Sequence, residues 1–159
     1  MHIWHCFLGH EPQPDILDAL CRAGLQPQAC DQFPPQGAGV VFFKEITTQL
    51  LDLLRQATCR GMERVLAIAL YSERIKSAAV WSLLGAGASD VFAWDHSSSP
   101  AHEVAARFQR WAEVDEIVRS PLVKDNLVGE SATWVRSLRQ IVEIARFTDV
   151  YEADLAAAF

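Results

Sequence analysis

Side chains able to do acid–base, nucleophilic or phosphate chemistry fall in four short stretches: His10-Glu11, Lys44-Glu45, Ser72 and Trp94-Asp95. Each follows an apolar run that reads as a strand, and open α/β sheets place their chemistry just beyond the carboxyl ends of strands. There Glu11, His10 and Lys44 would converge as an acid, a base and a cation. No serine, threonine or cysteine stands at a known activating distance from a general base, so an enzymatic reading rests on juxtaposition alone.

Other combinations are weaker. His2 and His5 have H-x-x-H spacing, but on a strand they point to opposite faces, which undercuts a zinc site. Cys6, Cys21, Cys30 and Cys59 stand singly and read as reduced thiols of a cytoplasmic protein rather than a disulfide framework. A net charge of −6 leaves no electrostatic footprint for nucleic acid or an anionic membrane. No run of about 18 apolar residues is present to span a bilayer, and residues 1–5 lack the basic start of a signal peptide. With 159 residues and 21% of them charged, the chain has material for one domain with a core plus a small extra element.

The elements that must position these residues follow from apolar periodicity. Val40, Val41, Phe42 and Phe43 come after a turn rich in Pro and Gly and are all β-branched or aromatic. Such a run is a short strand buried on both faces, as at the centre of a parallel sheet covered by helices. Residues 2–8 alternate and predict a first strand, 25–30 a second, 65–71 another interior strand and 91–94 the last. Pro14 opens a helix with an Ile16, Leu17, Leu20, Ala23 stripe that stops at Gly24. Thr47 or Thr48 caps a helix burying Leu50, Leu51, Leu54 and Ala57 and ending at Gly61. A helix over 74–84 buries Ile75, Ala78, Ala79 and Leu83. The Pro-rich turn leaves little room for a helix between the second and third strands. Alternating strands and helices call for an α/β protein with right-handed crossovers. The expected fold is a flavodoxin-like, five-stranded parallel sheet with helices on both faces, its second helix shortened or missing, and a C-terminal helical extension.

Ser99 and Pro100 open a helix of about 19 residues, roughly 28 Å at the usual rise, which is longer than a small sheet requires. On it Val104, Phe108, Trp111, Val114 and Val118 recur near the spacing of a two-helix seam. That pattern predicts a homodimer interface on Phe108, Trp111, Val114 and Val118; the alternative is that a later helix covers the stripe within one chain. Ser120-Pro121 breaks the long helix, and 119–126 read as a linker. Residues 132–147 predict one more amphipathic helix, with Trp134, Val135, Leu138, Ile141, Val142 and Ala145 on one side.

Two stretches carry a family resemblance. Gly87-Ala88-Ser89-Asp90-Val91-Phe92, after a helix and opening the last strand, resembles the G-A-x-D-hydrophobic-hydrophobic segment of bacterial response-regulator receiver domains. Ser72 falls where those domains carry Ser or Thr. Leu127-Val128-Gly129-Glu130-Ser131, followed by Leu138, Ile141, Ala145 and Thr148-Asp149, resembles the opening of the ATPase domain of sigma-54-dependent, NtrC-type enhancer-binding activators. The resemblance implies a receiver-like regulatory domain over 1–118, a linker over 119–126 and the start of an AAA+ domain from 127. It implies a cytoplasmic transcription regulator whose partners are a second copy of itself and the ATPase domain of the same full-length protein. Neither direct DNA contact from this chain nor a membrane is part of that picture.

Receivers use paired acids after the first strand and an Asp after the third to hold Mg²⁺ and accept phosphate, and a Lys at the fifth to sense it. Here the first position offers Glu11 alone, the acceptor position Phe43 and Lys44, and the Lys position Trp94-Asp95. A hard cation needs several oxygen ligands, which one Glu beside a Lys does not supply. The expectation is a degenerate pocket of Glu11, Lys44, Ser72 and Trp94 that binds no cofactor and catalyses nothing. A G-x-x-x-x-G-K-[ST] phosphate loop is missing as well, so the sequence reads as a regulatory half cut off at the ATPase threshold. A phosphorylation-independent regulatory and dimerisation domain is the leading functional expectation. The alternative is a small-molecule sensor. Arg119-Ser120 followed by Leu122-Val123 resembles the linker where some such regulators bind cyclic di-GMP, with Arg119 stacking on a base or forking onto phosphate.

Overall fold

The computed structural model describes residues 1–157 apart from 31, 32, 60–62, 76, 128 and 130, and no side chain at 74, 77 or 147–157. Its strands are β1 (His2–Leu8), β2 (Gln26–Ala29), β3 (Gly39–Phe43), β4 (Val65–Ala69) and β5 (Asp90–Ala93). They form one sheet in the order β2-β1-β3-β4-β5, parallel at every pairing. The continuous apolar runs become its interior: every residue of β3 and β4 is buried. The fold is flavodoxin-like. No helix connects β2 to β3 among the described residues.

Helices α1 (Pro14–Arg22), α2 (Thr48–Ala57) and α3 (Ser77–Gly85) make the crossovers β1–β2, β3–β4 and β4–β5. The first crossover steps one way along the sheet and the other two step the opposite way. Right-handed connections then put α2 and α3 on the face opposite α1. On the α2–α3 face, Trp4, Val41, Phe43, Val65, Ala67 and Ala69 pack with Leu50, Leu54, Ala57 and Leu83. Thr47 caps α2, its hydroxyl accepting from the Leu50 N–H at 3.2 Å. Gly61, expected to end α2, lies outside the described residues. The helix expected from 74 begins at Ser77, after a single 3₁₀ turn over Ser72–Arg74. The shift leaves Ala78 exposed and Ile75 at the end of that turn, partly buried, while Leu83 stays fully buried.

β2 is an edge strand and carries Pro27. Gln26 N–H donates to the Met1 carbonyl and Cys30 N–H to the His5 carbonyl, so the alternate position, Pro27, faces away from β1. Proline is tolerated there because no ladder bond needs its missing N–H.

Two compact units divide between Phe108 and Gln109, a boundary inside α4 (Pro100–Arg119). In the second unit, Val114, Val118 and Leu138 are buried together, with Val123, Val135 and Val142 packed against them. The stretch expected to be a linker is helix α5 (Pro121–Asn126). Ser120 caps it and Pro121 takes its first position, so residues read as a helix break also start the next helix. The last helix, α6 (Ala132–Ala157), runs past the expected end at 147. Ser131 opens it, its hydroxyl accepting from the Trp134 N–H at 3.2 Å. Gly129 precedes it with φ +151°, and a Cβ there would meet the Trp134 ring at 2.6 Å. Val128 and Glu130 of the same motif, and the side chains of Thr148 and Asp149, lie outside what is described.

The proposed α4 seam needs correcting. Phe108, Trp111, Val114 and Val118 are all at most 8% exposed within the single chain. Val114 and Val118 are covered by α6, the arrangement weighed above as the alternative. Conversely, Ile141 and Ala145, expected on the buried side of α6, are exposed. The apolar stripe on α6 is wider than the surface it covers.

Candidate functional site

The two crossover directions part between β1 and β3, and ligand sites in open sheets form at such switch points beyond the strand ends. A cleft of about 300 Å³ lies there, lined by Leu8 and Gly9 after β1, Lys44 and Glu45 after β3, Thr47 and Gln49 at the start of α2, and Tyr71 after β4. Gly9 turns the chain with φ +75°, a conformation that glycine adopts without steric cost. The cleft offers one cation, one carboxylate, two hydroxyls and an amide.

Of the four residues expected to share a degenerate pocket, only Lys44 lines this cleft. Glu11 is exposed, and its contribution to local structure is its carbonyl, 2.9 Å from His10 Nδ1. Ser72 is held by Asp95, just beyond the end of β5. Its backbone N–H donates to Asp95 Oδ1 at 2.7 Å and its hydroxyl to Asp95 Oδ2 at 3.2 Å. This clamp ties the end of β4 to the end of β5 and caps the 3₁₀ turn. Residues 23 apart in sequence give no local signal of such a contact. Trp94, just after β5, belongs to a row of rings: Phe7 stacks on Phe42 at 4.5 Å between centroids, and Trp94 meets Phe42 edge-on at 5.9 Å. Arg119 is the last residue of α4, exposed, 3.6 Å from Asp115.

These placements do not fit the Mg²⁺ that a receiver would bind. Among the described residues no three His, Cys, Asp or Glu side chains group as ligands, and the residue that follows β3 is Lys44.

Five of the six residues of the Gly87–Phe92 segment have the following structural tasks. Gly87 has φ +116°, and a Cβ there would strike Thr58 Oγ1 at 2.1 Å. Ala88 is buried, and Ser89 Oγ accepts from the Val65 N–H at 3.2 Å. Asp90 accepts from Arg107 Nε at 3.0 Å, while the Arg107 guanidinium sits 4.8 Å over the Phe92 ring. The segment turns α3 into β5 and fixes the register of the last strand. It records the fold; the chemistry of the site lies elsewhere.

His5, on β1, is the one buried histidine among the described residues, at 8% exposure. Burial pulls its pKa below the usual 6.5, against a smaller opposing effect from a hydrogen bond to the Gln28 backbone. A depressed histidine stabilises the fold above its unfolded pKa, because the unfolded chain takes up the proton first as pH falls. Unfolding free energy should therefore drop as pH is lowered below about 6.5, and His5→Leu should flatten that slope. Denaturant titrations at pH 7.5 and 5.5 check this; equal slopes in both proteins would assign the pH dependence to other groups.

No protein-family model, no curated protein and no solved structure matches this chain. Among the described residues no helix is long and apolar enough to cross a membrane.

Proposed function

We propose that this chain is a phosphorylation-independent regulatory and dimerisation domain of a sigma-54-dependent transcription activator, acting in the cytoplasm on an AAA+ ATPase domain of the same protein. The observation that carries the reading is the β3 carboxyl end. A flavodoxin-like sheet presents Lys44 where a receiver needs its acceptor, and Ser72 is committed to Asp95 instead of being available to a phosphoryl group. A domain so built transmits a signal by binding, not by covalent modification. Incubation with acetyl phosphate and Mg²⁺ should leave the intact mass unchanged; a stoichiometric phosphate adduct within residues 1–118 would overturn the reading.

With the α4 stripe covered internally, the dimer needs another surface. Helix α3 supplies it. The helix contains no charged residue, and its outward positions Ala78, Trp81, Ser82 and Gly85 are all exposed, Trp81 at 73%. A tryptophan flanked by small residues is the composition of an interface anchor. Light scattering should report a dimer that Trp81→Glu converts to monomer; a dimer indifferent to that substitution removes α3. The cyclic-dinucleotide reading finds less support, since its Arg119 ends a helix beside Asp115.

A further inference from the structure

The register of the edge strand brings two thiols together. β1 and β2 pair His2 with Gln26 through His5 with Ala29, and the ladder continues one step, with Cys30 N–H donating to the His5 carbonyl at 3.1 Å. The next position on each strand is a cysteine: Cys6 opposite Cys30. Both side chains pack against the same apolar cluster, the one containing Trp4 and Val41, so they share a face of the sheet. Neighbouring strands lie about 4.8 Å apart, inside the Cα separations that a disulfide spans. Both are thiols here, as are Cys21 and Cys59.

We propose that Cys6 and Cys30 form a redox modification site, closed to an intrachain disulfide by a hydroperoxide. One thiolate attacks the peroxide oxygen; the O–O bond breaks, leaving a sulfenic acid and, after protonation, water or an alcohol. The second thiol then displaces the sulfenic oxygen as water and the S–S bond forms. Two thiols together lose two electrons and two protons, and the peroxide takes them up. Burial raises the Cys6 pKa, and the neighbouring Cys30 adds to the effect. Thiolate is the reacting form, so closure should accelerate as pH rises above neutrality. The product ties the edge strand covalently to β1, ahead of the return to β3.

The test uses the full chain carrying Cys21→Ser and Cys59→Ser, which removes the two exposed thiols. Hydrogen peroxide at pH 8.5 should give a monomer lighter by two hydrogens, with no thiol left to alkylate. Peptide mapping should show a Cys6–Cys30 link that dithiothreitol reverses. Adding Cys30→Ser should abolish the link and leave Cys6 as a dimedone-reactive sulfenic acid. If Cys6→Ser or Cys30→Ser fails to fold, the mapped link in the two-serine background still decides. No reaction, a mass gain of oxygen without the link, or crosslinking between chains would each overturn the proposal.

Discussion

Asp115→Ala should cost about 3–5 kcal/mol, the usual penalty for stranding one member of a buried ion pair. Arg139 on α6 is 4% exposed. Its Nη2 donates to Asp115 Oδ2 at 2.9 Å, and its Nε lies 2.7 Å from Oδ1. That second approach is off the N–H axis, so it is a charge contact beside one well-formed hydrogen bond. Without Asp115, a buried guanidinium loses the carboxylate 2.7 Å away and α6 loses a polar contact with α4. The exposed pair Arg146–Glu113, at a similar 2.9 Å, should be worth no more than about 1 kcal/mol, because solvent screens it. Replacing both buried partners by apolar residues, Asp115→Leu with Arg139→Met, should restore most of the loss. Chemical denaturation of the two single variants and the double variant measures the coupling. Additive losses would show that the two side chains act independently. Limited proteolysis should also cut Asp115→Ala within Pro121–Asn126 faster than the parent.

Phe42→Ala should be comparably severe, at about 3–5 kcal/mol for a fully buried aromatic side chain. Phe42 is completely buried at the centre of the sheet. It is stacked on Phe7, the planes 12° apart, and met edge-on by Trp94 at 73°. Each such pair adds about 0.5–1.5 kcal/mol beyond buried area, and truncation removes both at once. Since domains of this size hold only about 5–15 kcal/mol in total, the variant should unfold at much lower denaturant with little change in slope. Trp94→Lys, which would place a cation at the end of β5, should lose the edge contact and destabilise while conferring no response to acetyl phosphate. Wild-type stability in Phe42→Ala would mean the row of rings contributes nothing as a unit.

The interior of the sheet was legible because β3 and β4 are buried on both faces, and such strands read as unbroken apolar runs. The edge strand was visible mainly through its neighbours, since Gln26, Pro27 and Gln28 carry little strand preference. Periodicity showed that α4 has a covered stripe but carries no information on what covers it, so Val114 and Val118 fitted a second copy and α6 equally well. Ser120-Pro121 was ambiguous for a chemical reason: a residue that ends one helix also caps the next. At the site, Lys44 was found by strand position. The Ser72–Asp95 clamp and the contribution of Tyr71 to the cleft arise only when separate strand ends meet.

The proline on the outer strand has a consequence for self-association. An uncovered sheet edge offers amide donors to any passing strand and is the usual starting point of edge-to-edge aggregation. In β2 the outward positions are Pro27 and Ala29, so Ala29 alone presents an outward N–H. With four residues and one donor, this rim cannot template a register-matched ladder. No helix follows β2 before β3 among the described residues, and Pro27 still limits what the strand offers a second sheet. Pro27→Val would restore the missing donor and, with it, a second outward amide on this edge.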